Sequence, residues 1–412
     1  MALTAPASAF ARIAQLAADR RVHRAFKWLH LQEQQLLRWQ AELVAVPAPP
    51  FGERPRAEWL CERFRELGLD EVHLDSIGNA VAVKKGEQRS DTDGRRVLLS
   101  AHIDTVFPED TPIKWTLDGT RLEAPGACDN GAGVVCMLAM AAALGHAGIE
   151  HSCDVVFAGN VGEEGEGDLR GMRHLYEGAG FKQSIAGHIV LDGAGHEVAI
   201  THALGSHRFL VTVRGPGGHS WTDAGRPNPI VALSRAIARV SEVELAPAPR
   251  TTVNVGTIEG GTAINAIPEQ ASARFDFRSV DPEQLIRLEV ELHRAVEDAV
   301  MAANVAAGQV SGKGSLRFSI DNIGSRPAGQ LATDSPLYET LRAVDRHLSI
   351  RTEPRIASTD ANIPLSLGVP AVSLGAGGEG GGIHTRAEWY DARGRELGLR
   401  RVLLLLLALT GC

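Results

Sequence analysis

The 412-residue chain lacks any cysteine framework: Cys61, Cys128, Cys136, Cys153 and Cys412 are scattered, odd in number and without a CxxC unit. That excludes a disulfide-stapled scaffold and points to a reducing compartment, so a cytoplasmic setting is expected. Excess positive charge is missing too, since 42 Lys and Arg stand against 50 Asp and Glu, a net charge of -8. Nucleic acid and anionic membrane both require a basic face, and neither is expected as a partner. No apolar run reaches the roughly 20 residues needed to cross a bilayer. The C-terminal run from Val402 to Leu409 reads instead as a buried terminal helix. Met1 to Phe10 contains no hydrophobic stretch of signal-peptide length, and Arg12, Arg20, Arg21 and Arg24 soon follow. Internal repeats are absent, and the single low-complexity patch, Gly375 to Gly382, is expected to be a flexible loop.

What is present is the composition of a globular protein, 44% hydrophobic and 22% charged. Single cores stop growing near roughly 250–300 residues, so this length suits one large and one small domain. An apolar stripe among Glu, Gln and Arg predicts helix from about Ala9 to Val46, ended by Pro47, Pro49 and Pro50, and a second helix runs from Pro55 to Leu67. Short apolar runs then predict strands at 71–74, 80–83, 97–100, 154–158 and 188–191, with an Ala/Met/Leu-rich helix from Gly131 to Leu144. Strands interleaved with helices imply an α/β domain, its mostly parallel sheet covered on both faces. Near Thr201 the rhythm changes. Strand at 207–214, helix at 229–243, strands at 252–258 and 272–278, helix at 282–303 and strand at 316–320 give β-α-β-β-α-β, the order of an α+β ferredoxin-like module. The expected division is an inserted domain at 204–325 and a discontinuous catalytic domain at 1–203 and 326–412.

Five acidic and histidine clusters punctuate the larger domain: His102-Ile103-Asp104, Cys128-Asp129-Asn130, Glu163-Glu164, Asp192 and His384. Each follows an apolar strand or sits among small residues. Taken singly, each has a plain explanation: a surface pair for His102 and Asp104, a helix N-cap for Asp129, a solvated pair for Glu163 and Glu164, a turn for Asp192, a cap for His384. Taken together they offer two imidazoles, three carboxylate ligands and a spare Glu. Nitrogen and oxygen donors without thiolate suit Zn²⁺, Co²⁺ or Mn²⁺ in a catalytic site. Behind an imidazole ligand, a carboxylate such as Asp104 would fix the tautomer. Of two adjacent carboxylates, one can bind a cation while the other moves a proton.

The order His-x-Asp, Asp, Glu-Glu, Asp, His, with the β-α-β-β-α-β insertion between the last two, resembles the M20 metallopeptidases from about Pro47 onward. The segment Ser358-Thr359-Asp360-Ala361-Asn362 is most similar to their peptidase T-like branch. The resemblance implies a phosphorylase/hydrolase-like catalytic domain with an inserted lid and dimerisation domain. It implies two divalent ions, zinc foremost, one held by His102 and Asp192 and the other by Glu164 and His384, with Asp129 bridging. Glu163 would be the general base that deprotonates the bridging water, and Asp104 would orient His102. The Asp129-Asn130 peptide bond would be cis. In the inserted domain, His219 of Gly217-Gly218-His219-Ser220 would stabilise the oxyanion, and Asn265 and Arg278 would hold a substrate carboxylate or carbonyl. The implied activity is amide hydrolysis of small peptides by a homodimer joined through the inserted domain. The alternatives are an N-acyl-amino-acid deacylase and, more remotely, a non-catalytic binding protein of the same fold.

Overall fold

Valine, leucine, isoleucine and alanine fill three strands, Arg96–His102, Asp154–Asn160 and Ile185–Leu191, and leave them almost wholly buried. Strands without a polar face must be covered on both sides, as a parallel sheet with crossover helices requires. In the computed structural model, which describes residues 8–87, 94–308, 312 and 314–411, Arg96–His102 pairs in parallel with both of the others. Ala371–Leu374 extends the parallel set beside Ile185–Leu191. Antiparallel strands flank it: Asp70–Leu74 and Ala80–Lys84 on one side, Val198–Ala203 on the other. The period of two divides the core: Val97, Leu99 and Ala101 face one apolar cluster, Leu98 the other. The first cluster is filled by the helices Glu33–Val44, Arg54–Glu66, Gly131–Ala147 and Arg395–Thr410. Leu169, Met172, Leu175, Tyr176 and Ile363 fill the second.

Three local outcomes differ from the sequence reading. The helical pattern from Ala9 to Val46 is three helices, Ala9–Ala17, Arg20–Leu31 and Glu33–Val44. Asp19 separates the first two because its carboxylate accepts the N–H groups of Arg21 and Val22 as an N-cap. The glycine tract is ordered and tightly packed rather than a flexible loop: Glu379–Gly381 is a strand paired with Trp389–Asp391. A Cβ at Gly380 would lie 2.3 Å from Cys128 Sγ, so glycine is there for close approach. Four three-residue strands, Thr116–Asp118, Arg121–Glu123, Glu379–Gly381 and Trp389–Asp391, form a small antiparallel sheet that three-residue segments are too short to announce by alternation. The C-terminal run is a buried helix, and no described helix is long and apolar enough to cross a membrane. Cys412 and most of the Met1-to-Phe10 stretch lie outside the described residues.

The chain divides into one unit comprising Met1–Ala203 with Gln330–Cys412 and a second, Leu204–Gly329. The return crossing falls after residue 329 because the strand Arg317–Arg326 runs well past Ile320, still paired as far as Arg326 opposite Ser206. Within the second unit the antiparallel sheet runs Thr251–Gly260, Gln270–Ser279, Gly205–Arg214, Arg317–Arg326, the ferredoxin-like order. Helices Pro229–Ser241 and Pro282–Ala306, capped by Asn228 and Asp281, cover one face over Phe209, Val211, Phe275 and Phe277.

Candidate metal centre

Parallel strands deliver their C-terminal ends to one edge of the sheet, where such folds bind ligands. His102 closes its strand, Asp192 follows Leu191, and the Glu163-Glu164 pair follows Asn160. His102 and Asn160 are direct neighbours across the parallel ladder. Asp129 arrives from a different direction, in the turn that opens the Gly131–Ala147 helix. The N-cap there is Asn130, which accepts Gly133 N–H at 3.1 Å, so Asp129 is left free of capping. The Asp129-Asn130 bond is cis.

The Asp129 carboxylate lies between the two imidazoles. Its Oδ1 is 3.0 Å from His102 Nε2 and its Oδ2 is 3.0 Å from His384 Nε2. Glu164 Oε1 joins from the His384 side at 2.9 Å, and Asp192 Oδ1 lies 3.9 Å from His102 Nε2. Ligand atoms of His102, Asp129 and Glu164 all fall within 4.8 Å of one another, the one such group found among the described residues. His102 Nδ1 faces the Asp104 main-chain oxygen at 3.2 Å and its carboxylate at 3.5 Å, so Nε2 is the nitrogen aimed into the site.

Burial and mutual charge set the protonation of these groups. Burial, then the Glu163 charge, pushes Glu164 up to about 8, and burial, then the Asp129 charge, pushes Asp192 up to about 7. His384 is raised to about 9, chiefly by its hydrogen bond to Asp129. Burial opposes charge on His102, yet its hydrogen bonds to Asp104 and Asp129 raise it well above the ordinary imidazole value. Burial would lift Asp129 as well, but hydrogen bonds from both imidazoles hold it far below the usual carboxylate range. Carboxylates and imidazoles packed this closely, His102 buried and His384 exposed, are a donor set that divalent ions would satisfy.

Several supports were invisible as separate motifs. Glu388, 1% exposed, accepts the N–H groups of Gly126, Cys128 and Asp129 at 2.8, 2.8 and 2.7 Å and so holds the Asp129 turn. Asn130 donates to Leu191 O at 2.8 Å and accepts Gly193 N–H at 3.1 Å, bracketing Asp192. Asn160 donates to Asp360 at 2.7 Å. The signal for Glu388 was its place four residues after His384, yet a lone surface-type Glu reads as solvated.

The remaining expected residues lie in the inserted unit. His219 and Asn265 are brought together: Ser220 N–H donates to Asn265 O at 3.0 Å, and His219 pairs with Ala266. His219 Nδ1 accepts the N–H groups of Trp221 and Thr222, so the neutral ring carries its proton on the exposed Nε2. Arg278, half-buried, donates to Asp276 at 2.7 Å.

The sequence profile of peptidase family M20/M25/M40 matches residues 98–408. The chain belongs to this family. It is 24% identical to the protein YqjE of Bacillus subtilis over 87% of this chain and 94% of that one. To the acetylornithine deacetylase of Myxococcus xanthus it is 30% identical, over 60% of this chain and 68% of the relative. The fold is similar to that of aminopeptidase PepT from Bacillus cereus, with a TM-score of 0.73 and 20% identity over 92% of this chain and 98% of that structure. Membership makes the protein a metal-dependent hydrolase, and His102, Asp129 and Glu164 form a candidate ligand group for such a metal.

Proposed function

We propose that this M20 hydrolase cleaves amide bonds of small peptides at a two-metal centre, with zinc as the resident metal and cobalt or manganese able to replace it. The observation that carries this reading is the Asp129 carboxylate, one oxygen toward each of two imidazoles. His102 and Asp192 would hold one ion, Glu164 and His384 the other, and Asp129 both. Two such ions supply Lewis-acid polarisation of a carbonyl and a water of lowered pKa.

The chain's own residues do the rest. Glu163, next in sequence to Glu164, would take the water proton and return it to the leaving nitrogen, the division of work open to two adjacent carboxylates. Asp104 keeps His102 in the tautomer whose Nε2 faces the site. Nε2–H of His219 is a donor suited to a developing oxyanion, and Asn265 and Arg278 offer groups for a substrate carbonyl or carboxylate. Dimerisation through the inserted unit is supported by its edge strand Thr251–Gly260 and by exposed Ile286, Val290, Met301 and Val305 on one helix. A fully active monomer in light scattering would remove it.

Similarity to an acetylornithine deacetylase favours N-acyl amino acids as the second reading. A substrate panel decides between them. Release of free amino acids from di- and tripeptides, with N-acetyl amino acids untouched, is expected; the reverse pattern makes the enzyme a deacylase.

A further inference from the structure

Asp360 sits in the Ser358–Asn362 turn, 1% exposed, and its Oδ2 accepts a hydrogen bond from Asn160 Nδ2 at 2.7 Å. The other oxygen of each side chain, Asp360 Oδ1 and Asn160 Oδ1, is buried and has no hydrogen-bond partner. Leaving such atoms unpaired is costly, and native interiors rarely do so. An ionised carboxylate can only accept and so cannot satisfy the amide oxygen. A protonated carboxyl can. One proton on Asp360 Oδ1 would supply a donor for the Asn160 oxygen and a partner for its own.

We propose that Asp360 is a neutral carboxylic acid in the folded enzyme, closed on the Asn160 amide by two hydrogen bonds, and that this pair positions the Glu163-Glu164 turn. Asp360 Oδ1–H donates to Asn160 Oδ1 while Asn160 Nδ2–H donates to Asp360 Oδ2. The surroundings agree: burial first, then the Glu163 charge, pushes Asp360 up to about 8, with Asp104 adding, and His102 and the Asn160 hydrogen bond opposing. Asn160 is where positioning matters. Its main-chain oxygen accepts Ile103 N–H at 2.9 Å, it lies beside His102 in the ladder, and the acidic pair begins three residues later. A neutral acid clamps this strand end without adding another negative charge beside Asp104, Asp129, Glu163, Glu164 and Asp192. The positioning role, though not the protonation state, rests on the proposed use of Glu163 and Glu164.

Infrared difference spectroscopy tests the protonation state on zinc-loaded protein, in which the metal ligands are ionised. Wild type at neutral pH is expected to show the carbonyl band of a protonated carboxyl that is missing from Asp360→Asn. Loss of carboxylate bands alone overturns the proposal. Positioning is tested by zinc affinity, through chelator competition, and by the pH profile of kcat/KM. Asp360→Ala is expected to lower zinc affinity and kcat/KM by roughly 10–100-fold, the usual effect of losing an outer support. Asp360→Asn, whose amide can form two N–H···O bonds with Asn160, rescues both to within about threefold of wild type, with the profile unmoved. An Asp360→Asn protein as impaired as Asp360→Ala, or unable to fold, overturns it. If the band is present and zinc affinity follows this pattern while no amide is hydrolysed, the Asp360 assignment stands and the proposed activity falls.

Discussion

Asp104 is tied to Glu164 through the main chain: its Oδ2 accepts the Glu164 N–H at 2.7 Å, and its Oδ1 accepts the Glu163 N–H at 3.0 Å. The residue that faces His102 from behind therefore also sets the turn that presents the acidic pair. In Asp104→Asn one acceptor becomes an NH₂ donor pointed at a backbone N–H. We expect zinc affinity and kcat/KM to fall roughly 10–100-fold with the circular dichroism spectrum unchanged. Unaltered affinity in chelator competition would refute the coupling.

Glu388 should matter more for the fold than for the reaction. Its carboxylate satisfies three N–H groups at once, two buried and that of Asp129 half-buried, and Glu388→Ala strands them all. At about 1–3 kcal/mol for each buried group left unpaired, the loss should exceed about 2 kcal/mol. Urea unfolding of the apo protein measures it free of any metal effect, and a change within about 0.5 kcal/mol would contradict the account.

Glu163→Gln separates proton transfer from metal binding. Zinc content should match wild type, because the close-set donors are His102, Asp129 and Glu164. Turnover should fall roughly 10²–10⁴-fold, as general-base loss does. Undiminished turnover at normal zinc content is incompatible with the assigned role.

His188 gives the fold a pH dependence of its own. Its ring is fully buried between Ser100 Oγ at 2.8 Å and Tyr176 OH at 3.0 Å, and burial pushes its pKa down to about 3 from an ordinary 6.5. Between these values the unfolded chain binds a proton that the folded chain refuses. The His188 contribution is therefore complete above about pH 6.5 and is lost as pH falls toward 3, with a slope approaching about 1.4 kcal/mol per unit. His188→Leu removes that slope but leaves Ser100 and Tyr176 without their partner, costing about 1–3 kcal/mol at neutral pH. Urea unfolding at about pH 7.5 and about pH 4.5 should show the wild-type advantage shrinking or reversing in acid; an advantage that grows would disprove the sign.

Legibility followed the length scale of the signal. Buried parallel strands and the β-α-β-β-α-β unit were readable because apolar runs and alternation extend over whole elements. The five clusters were readable because each follows such an element or sits among small residues. Glu388 and Asn160 were not, because their partners are 259–262 and 200 residues away and no local pattern marks a carboxylate that accepts backbone N–H groups. The glycine tract misled for the same reason. Composition alone says flexibility, whereas the neighbours that demand glycine, such as Cys128 beside Gly380, come from distant segments.

By itself, then, the sequence determined the α/β class, the inserted α+β unit and the order of the acidic and histidine clusters, since each is written in local periodicity and residue type. Only the tertiary structure decided that Asp129 stands between His102 and His384, that Asp104 and Glu388 hold the turns of Glu163-Glu164 and Asp129, and that Asn160 donates to Asp360. Those relationships exist because parallel strands bring their C-terminal ends to one edge, where burial turns separate side chains into neighbours whose charges and protons must be settled together.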